Sequence, residues 1–201
     1  MKIQTPPYGH PVEARERLLA AALEQFALRG YAATSVRELC EAAGVTKPVL
    51  YYYFKSKEGL FLQLMEETSA ILETMIADLA NYPGSARERI VHFITEVFNA
   101  CDQQLPLIKL IYSILFGTPQ GAPSFNLEQN YDRILETITG LVEEGIVRGE
   151  IARGNVNDIV WTIMACFSVT LEEQLCRCNP RIDGASMVRM LNLVFNGIAP
   201  H

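Results

Sequence analysis

The chain has 201 residues, of which 49% are hydrophobic and 20% charged, with a formal net charge of −6. That length suits one large or two small domains, and the apolar share lies far from the composition of chains that stay disordered. The acidic balance excludes a protein that coats nucleic acid or an anionic membrane by bulk charge, so any contact with a polyanion has to be local.

The opening MKIQTPPYGHPVEARER holds one lysine, three prolines and no apolar run that would serve a signal peptide. From Val12 to Arg29, Leu19, Ala22, Leu23, Phe26 and Ala27 follow the stripe of an amphipathic helix that Gly30 ends. A second helix opens with Ser35-Val-Arg-Glu38, the spacing of a capping box, lines one face with Val36, Leu39, Cys40 and Ala43, and closes at Gly44. Thr46 is placed to cap a third helix, whose early Pro48 removes an amide that has no helical partner. A fourth, long helix is expected from about Glu58 to Ala80, with Asn81-Tyr-Pro-Gly84 breaking it. Further helices are expected near Ala86–Asp102, Pro106–Phe116, Ser124–Arg148, Asn155–Cys178 and Gly184–Ile198, with the clearest loop at Gly117–Pro123.

Nine helices and no strand pattern predict an all-α chain. A three-helix domain over residues 12–57 is followed by a six-helix domain over 58–201. Residues 1–60 carry a charge of +2 and the remainder −8, a slightly basic head on an acidic body. The longest uncharged apolar stretch, Ile159–Leu171, has 13 residues, short of the roughly 20 that a bilayer span needs, so no membrane contact is expected and the chain is read as cytoplasmic. Cys40, Cys101, Cys166, Cys176 and Cys178 form no repeating frame, and reduced thiols are expected.

Between Val36 and Tyr53 two short helices joined by a glycine-pinned turn make a helix-turn-helix. Cys40 is small enough for close crossing, and Leu39, Ala43, Val45, Leu50 and Tyr53 are available to bury the contact. At about 100° per residue, Lys47, Pro48, Tyr51 and Tyr52 share an arc facing away from Val49, Leu50 and Tyr53. Lys47 is placed to reach a base edge or a phosphate, Pro48 offers apolar surface for a thymine methyl, and Tyr51 and Tyr52 offer hydroxyls to phosphate oxygens. Lys57 adds charge from the following turn, while Thr34, Ser35 and the first amides of the second helix form a phosphate seat with Arg37 nearby. Tyr53 and Phe54 read as core.

The run Thr34 to Phe61, TSVRELCEAAGVTKPVLYYYFKSKEGLF, with the preceding AALEQFALRGYAAT, resembles the N-terminal DNA-binding domain of the TetR family of bacterial transcriptional regulators. The resemblance covers about residues 14–61 and departs from the common pattern at Cys40 and Tyr53. It implies an all-helical homodimer that binds a palindromic double-stranded operator, usually as a repressor, and that releases DNA when a small molecule enters the C-terminal regulatory and dimerisation domain. Matched to the family motif, Thr34, Tyr51, Tyr52 and Lys57 are expected to meet phosphates, with bases read near Lys47 and Pro48; the residue reading adds Ser35, Arg37 and Thr46 to the expected DNA-facing set.

The last two helices carry more apolar residues than one core stripe uses, which suits pairing of two copies through them or a thicker core. Phe93, Tyr112, Phe116 and Trp161 are candidate walls of an effector pocket, or core. Cys176 and Cys178, two apart on a helix, would face nearly opposite ways. No metal site or cofactor is expected. The chain has no G-x-S-x-G, P-loop, H-E-x-x-H or paired C-x-x-C pattern and only His10, His92 and His201, so an enzyme is not expected. The alternative left open is a helical partner-binding adaptor without a small-molecule effector.

Overall fold

A computed structural model describes residues 11–116 and 121–197. Among the described residues there are nine α-helices and no strand: α1 Pro11–Arg29, α2 Val36–Ala43, α3 Lys47–Phe54, α4 Lys57–Leu79, α5 Ala86–Gln103, α6 Leu105–Phe116, α7 Glu128–Val147, α8 Val156–Cys176 and α9 Gly184–Asn196. The expected loop Gly117–Pro123 lies in part outside the described residues, as does Ile198.

Packing sorts the described residues into two compact units, 11–68 with 109–116 and 121–125, and 69–108 with 126–197. The first therefore runs eleven residues beyond the expected boundary at residue 57. The reason is chemical: Leu60, Phe61, Leu64 and Met65 of α4 are buried, the Phe61 ring lies 5.9 Å from Phe26 of α1, and Arg15 donates to Glu67 at 2.6 Å. In this unit Leu18, Leu19, Ala22 and Phe26 of α1 supply the surface on which α2 and α3 pack.

The second unit centres on α5, α7, α8 and α9. Its core comprises Ile90, Phe93, Ile94 and Val97, then Ile138, Leu141 and Val142, Ile163, Met164 and Phe167, and Met187 with Leu191. Ser85 and Glu88 close a capping box on α5, and Asn155 and Asp183 cap α8 and α9 through their side chains. By length and composition alone α8 could cross a membrane, but here Val160, Ile163, Met164, Phe167 and Leu171 are buried inside the unit.

Two expected helix boundaries move. α7 begins at Glu128, not near Ser124, because the residue three beyond Ser124 is Leu127, which is buried and has no carboxylate to close a cap. α8 stops at Cys176: Arg177 and Arg181 both fold onto the Glu173 carboxylate, and Arg177 becomes extended. Hydrogen bonding from Arg181 holds the Glu173 carboxyl down at about 2. The expectation that Cys176 and Cys178 face opposite sides of one helix therefore fails, since Cys178 is not helical. Both are exposed.

Gly145 is where α7 meets the turn before α8. A Cβ there would lie 2.7 Å from Ile151 Cδ1 and 2.9 Å from Ala86 Cβ. Gly145→Ala is expected to destabilise the second unit by about 1–3 kcal/mol, as overpacking does, read as a lower urea midpoint at unchanged slope.

Candidate nucleic-acid interface

The outward face of α3 is built from the turn upward. Gly44 takes φ 62° and ψ 39°, and its N–H is shared by the carbonyls of Cys40 and Glu41, the left-handed closure that glycine makes without a Cβ clash. Arg17 of α1 donates from Nε to the Ala43 carbonyl at 3.0 Å, tying down the same helix end. Leu39, Cys40 and Ala43 of α2 are buried, as are Leu50 and Phe54 of α3, and this apolar contact sets how the two short helices cross. Burial pushes the Cys40 thiol up, against the opposing pull of Lys47.

With Leu50 and Phe54 inside, Thr46, Lys47, Pro48, Tyr51 and Tyr52 are exposed, Tyr52 to 73%. Tyr53 is half-buried, its ring 4.9 Å from that of Tyr52. Thr46 is the N-cap residue by backbone, accepting from the amides of Val49 and Leu50, but its hydroxyl makes no capping bond. The expected side-chain cap is thus absent, and the hydroxyl stays available on the outer face.

At the start of α2 the capping box is complete: Ser35 N–H donates to Glu38 Oε2 at 2.8 Å and Glu38 N–H to Ser35 Oγ at 3.3 Å. The bonds from Ser35 hold the Glu38 carboxyl below its usual range. Val36 and Arg37 are left with amides that have no intrahelical partner by position. Arg37 is exposed and reaches Glu41 at 3.2 Å, a surface pair of little strength.

Two residues expected on this face are turned inward. Thr34 is 1% exposed. Its hydroxyl donates to the Gly30 carbonyl at 2.9 Å and its amide to that of Tyr31 at 3.3 Å, so it holds the turn and has no donor left for a phosphate. Lys57 Nζ donates to the carbonyls of Tyr31 and Thr34, each at 2.9 Å, and lies 4.0 Å from the Tyr31 ring centroid. Burial lowers the Lys57 pKa. An exposed lysine was missed: Lys55, at the end of α3, takes φ 65° and donates to the Tyr52 carbonyl at 3.1 Å. Its signal was a cation directly after the aromatic run.

The four aromatic candidates for an effector pocket do not meet within either unit. Tyr112 and Phe116 belong to the first, with ring centroids 5.5 Å apart and Phe116 79% exposed. Phe93 is in the core of the second, sharing a helix face with Ile90, Ile94 and Val97, whereas Trp161 is 56% exposed on α8. None of the four lines the open cleft of about 640 Å³ bounded by Tyr82, Arg87, His92 and Asn192. His92 stacks on Tyr82 at 3.8 Å. Among the described residues no cluster of three His, Cys, Asp or Glu side chains could hold a metal ion.

Residues 18–64 match the sequence profile described as bacterial regulatory proteins, tetR family. The chain is 29% identical over 140 residues to the HTH-type transcriptional regulator AcrR of Shigella flexneri, covering 65% of each. It superposes on the TetR family transcriptional regulator PfmR from Thermus thermophilus with a TM-score of 0.69 at 20% identity, over 92% of this chain and 100% of that one. For FadR from Bacillus subtilis, solved in complex with stearoyl-CoA, the TM-score is 0.66 at 25% identity, over 92% and 99%. The chain spans about half to two-thirds of the length of the curated relatives it first matches.

Proposed function

We propose, on the premise that this chain belongs to the TetR family of bacterial transcriptional regulators, that it is a repressor binding a palindromic operator as a homodimer and releasing it when a small molecule binds. The observation that carries the reading is the exposed wedge of Thr46, Lys47, Pro48, Tyr51 and Tyr52 on a helix whose opposite side is locked by Leu50 and Phe54. A short helix held this way can enter a major groove with its first turn toward the base edges. Ser35, Arg37 and Lys55 flank the wedge with donors suited to phosphate oxygens. Pairing of two copies through α8 and α9 is supported by exposed Trp161 and Val169 on one helix and Leu193 on the other, large apolar groups that a second copy would cover.

The effector is a long-chain acyl compound. Support comes from the relative solved with stearoyl-CoA and from α6, LPLIKLIYSILF, in which Lys109 is the one charged residue. Ligand and DNA then favour different states and weaken each other's binding.

The test is a gel shift with a labelled duplex that the protein selects from a random pool, followed by addition of stearoyl-CoA. A shifted band that the acyl thioester releases is expected. No selected duplex would leave the partner-binding adaptor as the better reading. Lys47→Ala should keep the wild-type melting temperature, because the side chain is exposed. It should lose about 1–3 kcal/mol of discrimination at the base that Lys47 reads. Equal losses on all duplexes would reassign Lys47 to a phosphate.

A further inference from the structure

Lys57 is the first residue of α4, yet its ammonium serves the turn between α1 and α2, donating to carbonyls 26 and 23 residues earlier. The same turn is also held by the Tyr31 ring, 5.3 Å from both Phe26 and Phe61, and by the Thr34 hydroxyl bonded to Gly30. Thr34 is followed directly by Ser35, the N-cap of α2, so the Thr34 carbonyl cannot shift without carrying the start of that helix with it. To reach a phosphate, Lys57 would have to give up both hydrogen bonds and its place over the Tyr31 ring.

We infer that Lys57 is a positioning residue for DNA binding: by holding the Tyr31 and Thr34 carbonyls it sets where the amides at the start of α2 and the Arg37 side chain meet a phosphate, without touching the duplex itself. This rests on the DNA-binding role proposed above and deepens it. It separates two kinds of lysine at the end of the head, Lys55 pointing out with its charge available and Lys57 pointing in as a staple.

A double-mutant cycle separates this role from a direct contact. Wild type, Lys57→Met, Arg37→Ala and the double variant are titrated onto a labelled duplex selected by the wild type, between about 50 and 200 mM salt. The inference expects Lys57→Met to bind about 10-fold more weakly. In that background, Arg37→Ala should then change neither affinity, within about 2-fold, nor the salt slope, because the placement that made Arg37 useful is already gone. A direct phosphate contact expects the two losses to multiply and the slope of the double variant to fall by about 0.9 for each residue. Multiplying losses, or an Arg37→Ala change that costs nothing in the wild type, would overturn the inference.

A second measurement needs no DNA. In the free protein, the amides of Thr34 and Ser35, bonded to the Tyr31 carbonyl and the Glu38 carboxylate, should exchange with deuterium about 10-fold faster in Lys57→Met while those of α5 and α7 stay protected. Unchanged exchange at Thr34 and Ser35 would also overturn it. Failure of the wild type to select any duplex would instead overturn the proposed function and leave the exchange result to decide whether Lys57 holds the turn.

Discussion

Gly59→Ala is expected to unfold the first unit while the second stays helical. A Cβ at residue 59 would lie 2.0 Å from the Phe54 carbonyl oxygen and 3.2 Å from its carbon. What it meets is backbone, not the tip of a side chain that could swing aside. Gly59 is also held by its own amide, which donates to Ser56 Oγ at 2.9 Å and so starts α4. Relief requires either the end of α3 or the first turn of α4 to move, and both ends of that corner are fixed by buried Phe54, Leu60 and Phe61. The cost should exceed ordinary overpacking and reach about 3 kcal/mol or more, a large part of the 5–15 kcal/mol typical of a whole domain. Limited proteolysis should cut within residues 11–68 and spare 126–197, and DNA binding should disappear. A variant as resistant as the wild type would show that α4 does not press on Phe54.

Phe61→Ala should come next in size. Phe61 is fully buried, its ring 5.9 Å from Phe26 and 5.3 Å from Tyr31, the two pairs edge to face. Removing a buried phenyl ring loses its transfer energy and leaves a cavity, together about 3–5 kcal/mol. Here the void opens between α4 and α1 and beneath Tyr31, whose carbonyl Lys57 holds. Urea unfolding of the first unit should shift to a lower midpoint with an unchanged slope. Phe61→Leu, which refills part of the space, should recover more than half of the loss. Equal losses for Ala and Leu would point to the ring's edge-to-face contacts, not its volume, as the main contribution.

Local signals were the legible part of this fold. The Ser35–Glu38 capping box, the left-handed Gly44 and the stripe on α1 each involve residues within one turn of helix, so spacing alone locates them. The outward arc of Lys47, Pro48, Tyr51 and Tyr52 follows in the same way from the buried pair Leu50 and Phe54 on the other side of α3. Depth is a different matter. Periodicity gives the direction of Thr34 and Lys57 but not that a turn more than twenty residues upstream would offer Lys57 two carbonyls. The end of α8 was hidden for a similar reason, since Arg181 reaches back across eight residues to Glu173. Phe93 and Trp161 show the limit on the pocket: both are aromatics on helices, and only the packing of neighbours puts one inside and the other on the surface.

Lys55 is the only non-glycine residue with a positive φ among the described residues. Backbone of that hand strains a side chain with a Cβ, at a cost on the order of 1–3 kcal/mol, and asparagine or glycine would sit there with less strain. The C-cap of α3 is thus held by a lysine whose backbone conformation a side chain with a Cβ does not favour. The head carries a positive charge beside Tyr52 at a cost in resistance to unfolding, a cost that the DNA-binding role proposed above would offset on contact with phosphate.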